Sequence, residues 1–269
     1  MRLATFIPPG SPDPVCGELR DDRAIVFEDG GRTPCARQVV LLDRLATGVL
    51  EPAAGESWPL ADVELLAPIT APRAIFGIGL NYRAHAAEQG AEIPRAPIVF
   101  MKLPSSAAPP NGTVRCPAVV KRLDYEGELA LVMGSERRVA GYAVANDLSA
   151  RDLQGREPQW TRAKGADGFC PYGPWITTAE EIPDPHALRL RTAVNGEPRQ
   201  DATTGDMIFR IPDLIAFISE TCTLMPGDLI LTGTPSGVGM SMDPRQFLAS
   251  GDTIRIEIDG LGAIEHSIA

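Results

Sequence analysis

The 269-residue chain has no long apolar run, no basic block and no paired-cysteine motif. A membrane-crossing helix needs ~20 consecutive apolar residues, and no stretch approaches that. The opening Met1-Arg2-Leu3-Ala4-Thr5-Phe6-Ile7-Pro8 lacks the apolar core of a signal peptide. Five cysteines, Cys16, Cys35, Cys116, Cys170 and Cys222, are scattered, odd in number and form no CxxC pair. That argues against a zinc site and for reduced thiols in a cytoplasmic protein. Acidic residues outnumber basic ones 35 to 25, giving a formal net charge of -10. With no clustered Lys or Arg, neither nucleic acid nor an anionic membrane is an expected partner. An anionic small molecule would need positive charge gathered locally at its site.

Apolar residues make up 44% of the chain, enough for a sizeable core. The 25 prolines and 26 glycines fall between short apolar runs, which points to an α+β fold dominated by strands. Residues 1–66 read as a small N-terminal α/β unit. It has strands over 3–7 and 24–27, a turn at Asp29-Gly30-Gly31, a helix over 36–50 and a Gly/Pro/Ala linker over 51–59. Residues 67–269 read as the main domain. Strands are expected over 74–78, 98–102, 128–133, 188–194, 229–231, 253–258 and 263–268. Asn195-Gly196 is a hairpin turn, and 212–222 is a helix with Pro212 in its first turn. Ser149 and Asp152 suggest the capped start of a helix within 149–159.

The stretch Asp124-Tyr125-Glu126-Gly127-Glu128 places two glutamates two residues apart in a strand, so both point to one face. Asp147 ends a second apolar strand nearby. Acids that converge without a Lys or Arg between them repel unless they share a cation. All-oxygen ligation then selects Mg²⁺, Mn²⁺ or Ca²⁺. The alternative is a solvated strand face. Asp124 is a same-face candidate only if the strand extends that far. His85 and Glu88, at i and i+3, can meet on a helical turn, and a carboxylate fixes the imidazole tautomer that a general base needs. An incidental surface ion pair fits the same spacing. Lys164, in a loop of small residues, could stabilise an oxyanion or simply be solvated. Gly77-Ile78-Gly79 lacks the third glycine of a dinucleotide loop, and Gly233–Gly239 lacks the Lys of a P-loop. The latter could still offer backbone N–H groups and the Thr234 hydroxyl to an anion, or be only a structural turn.

Taken together, these pieces resemble the fumarylacetoacetate hydrolase family. The matching elements run from Gly79-Leu80-Asn81-Tyr82 with His85 and Glu88, through Phe100-Met101-Lys102, the Asp124–Ala130 stretch and Asn146-Asp147 to Gln154. They continue with Lys164 and Asp167, Gly173-Pro174-Trp175, Asn195-Gly196-Glu197, Pro226-Gly227-Asp228 and Gly233-Thr234-Pro235-Ser236-Gly237. The resemblance covers residues 70–269. It implies a mixed β-sandwich roll, a homodimer, and Mg²⁺ or Mn²⁺ held by Glu126, Glu128 and Asp147. It implies that His85 and Glu88 form a water-activating dyad on a lid, that Lys164 assists, and that Tyr82, Lys102, Gln154 and Thr234 contact a small keto-acid substrate.

The chain departs from the family pattern in two places. Only Ser135 to Ala140 separates the strand after the glutamates from the Gly141-Tyr142 strand, so the metal-site surroundings or dimer contacts are expected to differ. Ala166 stands before Asp167 where a bulky aromatic is usual, so a wider pocket or a looser Lys164 is expected. The activity expected first is hydrolysis of a carbon–carbon bond in a 1,3-diketo acid such as an acylpyruvate or fumarylpyruvate. The alternatives are oxaloacetate decarboxylation, isomerisation of a 2-hydroxy-diene-dioate, and non-catalytic binding.

Overall fold

The computed structural model describes residues 1–28 and 34–269, with backbone alone for 34–39. The turn expected at Asp29-Gly30-Gly31 therefore lies outside the described residues. Ten strands follow one another across the large sheet: Ser57–Pro59, Arg23–Val26, Val15–Arg20, Arg2–Ile7, Cys170–Thr178, Val139–Asn146, Gly127–Met133, Leu229–Leu231, Ile75–Gly79 and Ile98–Lys102. Two short strands pair at its side. A five-stranded sheet runs Glu197–Thr203, Arg189–Val194, Thr253–Ile258, Gly262–Ile268, Asn111–Val114. The strands of the N-terminal region join the large sheet through Arg2–Ile7, which pairs antiparallel with Cys170–Thr178.

Gly127–Met133 is buried along its whole length, and its periodicity explains why. Leu129, Leu131 and Met133 pack with Leu190, Ile254, Ile256 and Ile264 of the five-stranded sheet. Ala130 and Val132 turn the other way, into a cluster with Leu41 and Leu45 of the Pro34–Thr47 helix. A strand covered on both faces reads as a continuous apolar run. Each fully buried Leu contributes roughly 1.5–3 kcal/mol. Glu126 and Glu128 share the parity of Ala130, so both lie on its face. The Ile211–Ser219 helix buries Ile211, Leu214 and Ile218. Asn195 and Gly196 take φ of 52° and 80°, the two left-handed positions that a tight hairpin between Arg189–Val194 and Glu197–Thr203 requires.

The short Ser135–Ala140 link is a hairpin with Glu136 and Arg137 at φ 56° and 62°. It joins the far ends of Gly127–Met133 and Val139–Asn146. At the near end Gly127 pairs with Asn146, so Glu126 faces Asp147. Five strand steps, ~17 Å, separate Met133 at the link from Glu128, the nearest of the acids along the hairpin, so the link does not touch them. The helix expected within 149–159 is shorter and uncapped by Ser149. Ser149–Ala150 instead pairs with Leu123–Asp124, and only Arg151–Gln154 is helical. The Ser149 hydroxyl donates to the Asp147 carbonyl, and Asp152 accepts from the Lys121 and Arg122 amides. Cys116, Cys170 and Cys222 are free thiols. Among the described residues no helix is long and apolar enough to cross a membrane.

Candidate active site

Glu126, Glu128 and Asp147 converge. Each offers an oxygen within 4.8 Å of the others, and all three are buried. Sequence spacing suggested acids without intervening cations, but the fold brings three in. Lys164 Nζ lies 2.6 Å from Glu126 Oε2 and 2.7 Å from Asp147 Oδ2. Lys102 Nζ lies 2.5 Å from Asp147 Oδ1. Arg151 Nη2 lies 2.7 Å from Glu126 Oε1. Burial alone would raise the Glu126 carboxyl, but Lys164 and Arg151 outweigh it and hold the group down to about 2. Burial likewise opposes the charge on Lys164, yet Asp147 and Glu126 raise its pKa.

Glu128 differs. Among the described residues it makes no ion pair and accepts one backbone bond, from Gly233 N–H at 2.7 Å. Burial, then Asp147 and Glu126, push its carboxyl well above the usual range. An anion-rich, all-oxygen donor set with one uncompensated member fits a hard divalent cation. Glu126, Glu128 and Asp147 are the residues that would hold it.

The glycine-rich loop spends its amides on the protein's own acids rather than leaving them for a ligand. Gly233 N–H goes to Glu128, Gly237 N–H to Glu88 Oε2 at 2.9 Å, and Gly239 and Met240 N–H to Asp124. Gly237 sits at φ +103°, with no room for a Cβ against the Arg199 carbonyl. Asp124 does not join the three-acid cluster. Its Oδ2 lies 2.8 Å from Arg151 Nε, so it anchors the guanidinium that holds Glu126.

His85 stands on the Arg83–Glu88 helix and is buried. Its Nδ1 lies 2.6 Å from Glu88 Oε1, and its Nε2 lies 2.8 Å from the Gln89 amide nitrogen. The Glu88 carboxylate can only accept, so Nδ1 carries the proton. The Gln89 NH₂ can only donate, so Nε2 presents its lone pair.

A cavity of about 380 Å³ reaches both Glu126 and His85. Glu126, Arg151 and Lys164 line one part of it, with His85, Gln89, Gln154, Trp160 and Thr234 around them. Gln154 accepts from Arg151 Nη1. Thr234 donates to the Gly127 carbonyl and accepts from Gln200. Tyr82 and Lys102 are fully buried and do not line the cavity. Lys102 also donates to the Lys164 carbonyl, so it braces both Asp147 and the Lys164 backbone from behind. Lys164 itself is fixed by two carboxylates and lies 5.2 Å from the Phe100 ring centroid, so it is not loosened beside Ala166. Sequence reasoning gave no role to Arg151 or Gln89. Gln89 was within reach of spacing, at i+4 from His85. Arg151 was not, because only the Leu123–Asp124/Ser149–Ala150 pairing carries it between Asp124 and Glu126.

Residues 74–269 match the family model of the fumarylacetoacetate hydrolase C-terminal domain. A mitochondrial oxaloacetate tautomerase of Xenopus laevis is 39% identical over 287 aligned positions, covering 100% of this chain and 90% of that protein. A 2-hydroxyhepta-2,4-diene-1,7-dioate isomerase of Mycobacterium marinum superposes with a TM-score of 0.79 at 37% identity, over 100% of this chain and 98% of that one. A maleylpyruvate hydrolase of Sphingobium sp. SYK-6 does so with a TM-score of 0.80 at 32% identity, over 100% and 99%. The three-acid cluster and its cavity thus lie in a chain matched along its whole length by tautomerase, isomerase and hydrolase alike: this protein belongs to the fumarylacetoacetate hydrolase family.

Proposed function

We propose that the chain is an enzyme that enolises small 2-keto dicarboxylates, interconverting the keto and enol forms of an oxaloacetate-like acid with Mg²⁺ (or Mn²⁺, Ca²⁺) as cofactor. The observation that carries this reading is that Lys164, Arg151 and His85 line one cavity. Cations suited to a carboxylate and a developing enolate line it together with a single neutral base. The full-length similarity to an oxaloacetate tautomerase supports enolisation over cleavage.

A divalent cation held by Glu126, Glu128 and Asp147 would supply Lewis acidity that lowers the energy of the enolate. The protein does the rest. Glu88 keeps the Nδ1–H tautomer of His85, and Nε2 takes the proton from C3 of the keto form and passes it to the enolate oxygen to give the enol, the reverse transfers regenerating the keto form. Lys164 donates a hydrogen bond to the enolate oxygen, and Arg151 attracts the substrate carboxylate. Gln154 and Thr234 contact the substrate from the cavity wall. Tyr82 and Lys102 act from behind it. Residues 67–269 carry this chemistry, and residues 1–66 add strands to the sheet. The enzyme works as a homodimer in the cytoplasm. The edge strand Ile98–Lys102, with Ile98, Val99 and Met101 exposed, supports the dimer.

Hydrolysis of an acylpyruvate or fumarylpyruvate is the second reading, favoured by the 2.6 Å His85–Glu88 pair, which is arranged as a water-activating dyad would be. The two are separated by supplying purified protein and Mg²⁺ with enol-oxaloacetate, acetylpyruvate and fumarylpyruvate in parallel. Rapid loss of the enol absorbance with oxaloacetate retained is the expected result. Turnover of the acylpyruvates alone would replace the tautomerase reading with the hydrolase one.

A further inference from the structure

We infer that Gln89 masks the His85 base and releases it when the far carboxylate of a dicarboxylic substrate draws its amide away. This rests on the enolisation reading above and names the feature that would make it selective for diacids.

His85 has one lone pair to offer, on Nε2, because Glu88 commits Nδ1 as a donor. In this structure that lone pair accepts from the Gln89 amide at 2.8 Å. One lone pair cannot hold an amide proton and take a substrate proton together. Catalysis therefore requires the Gln89 amide to leave. His85 is buried while Gln89 is exposed, and both line the cavity, so the amide stands between the base and solvent. The backbone holds the base still while the side chain moves. Gln89 N–H is bonded to the His85 carbonyl at 3.2 Å, and Glu88 is tied to Gly237 at 2.9 Å.

What draws the amide follows from hydrogen-bond strength. A bond to an ionised acceptor is roughly twice as strong as one between neutral groups. Water offers no such gain, so it does not unmask the base. A carboxylate does. A keto acid whose keto-carboxylate end is held by Lys164 and Arg151 has its other end in the same cavity, whose lining includes Gln89. A second carboxylate there takes the amide and frees Nε2. A monocarboxylate leaves the mask in place. Gln89 is thus a positioning residue acting through His85, and it sets substrate choice.

The test compares wild type with Gln89→Leu and Gln89→Glu. First, diethyl pyrocarbonate, which acylates unprotonated imidazole nitrogen, is applied without substrate, and the modified histidines are quantified by mass spectrometry. His186, whose Nε2 accepts from Ile211 N–H away from the cavity, is the internal reference. His85 should label about fivefold faster in Gln89→Leu, the worth of one net hydrogen bond. Second, exchange of C3 protons for deuterium is followed with Mg²⁺ for oxaloacetate and for 2-oxobutanoate, its monocarboxylate counterpart. The preference for oxaloacetate should fall by about fivefold in Gln89→Leu. It should fall further in Gln89→Glu, whose carboxylate repels the diacid. Unchanged His85 labelling overturns the mask. Faster labelling with an unchanged preference overturns its link to the distal carboxylate. If wild-type protein exchanges no protons on either acid, the enolisation reading fails and takes that link with it, while the labelling still decides the mask.

Discussion

Asp147 lies directly across the hairpin from Glu126, and its backbone N–H donates to the Glu126 carbonyl at 2.9 Å. That one backbone bond sets the position of two of the three acids. The Gly127–Asn146 register fixes their height, and side-chain alternation brings Glu128 to the same face. A one-residue slip would turn Glu126 and Glu128 away from Asp147 and the core strand inside out. The acidic cluster and the buried core are therefore specified by the same pairing.

Lys164→Met tests how far Lys164 compensates the acids. Removing one partner of a buried ion pair leaves an uncompensated charge, a cost of about 3 kcal/mol or more. The metal-free variant should be less stable than wild type by roughly that amount in urea denaturation. Mg²⁺ should restore more stability to the variant than it adds to wild type. An equal response to Mg²⁺ in both would mean that Lys164 and the cation do not share the same carboxylates.

His266 gives the fold a pH dependence unrelated to catalysis. Asn146 accepts from Glu126 N–H through Oδ1, so its NH₂ faces His266 Nε2 at 3.0 Å. The ring must therefore accept, and burial lowers its pKa from 6.5 to about 4. A base whose pKa falls on folding contributes stability that is complete above pH 6.5 and is lost as pH drops towards 4. Within that window each pH unit costs up to ~1.4 kcal/mol. His266→Gln keeps an acceptor for Asn146 and cannot ionise. Its urea midpoint should fall less steeply than wild type between those pH values, and parallel curves would remove His266 as the cause.

Glu88→Gln should reduce turnover by about 10²-fold, within the range of a lost general base, because the imidazole loses the carboxylate that holds its tautomer. The thermal midpoint should barely move, since Glu88 lies at a partly exposed helix end. Kinetics on the Mg²⁺-loaded variant, with thermal unfolding alongside, separate this from a folding defect.

Gly237→Ala should destabilise the protein by about 2 kcal/mol, through a strained left-handed backbone and a Cβ driven at the Arg199 carbonyl. Because Gly237 N–H also anchors Glu88, turnover should fall along with stability. Gly251→Ala, at φ +92° with nothing near its Cβ, is the control, expected to cost stability alone.

The legible parts of the sequence were those governed by local periodicity. The apolar run Leu129 to Met133 revealed the strand and Asn195-Gly196 the hairpin, while the spacing of His85 and Glu88 allowed their contact and only the family resemblance made it a dyad. The ion pairs of Lys102, Arg151 and Lys164 with the acids were not legible, because these residues come from segments far apart in sequence that only the tertiary fold brings together. Ser149 misled because its hydroxyl had a nearer acceptor, the Asp147 carbonyl, than the helix amide that a cap would serve. The amides of Gly233, Gly237 and Gly239 resembled an anion site for the same reason that they serve one: the anions are Glu128, Glu88 and Asp124 of the protein itself.

In the proposed enolisation an acidic, metal-fitting cluster and a single neutral base together exchange a proton at the carbon beside a keto group. Proton NMR of oxaloacetate in deuterated buffer measures this directly, comparing Mg²⁺-loaded wild type with Glu126→Ala and His85→Ala. Rapid loss of the C3 signal with wild type, and a rate near the uncatalysed one with both variants, is the expected result. Wild-type exchange no faster than in Mg²⁺ buffer alone, accompanied by cleavage of acetylpyruvate, would contradict it.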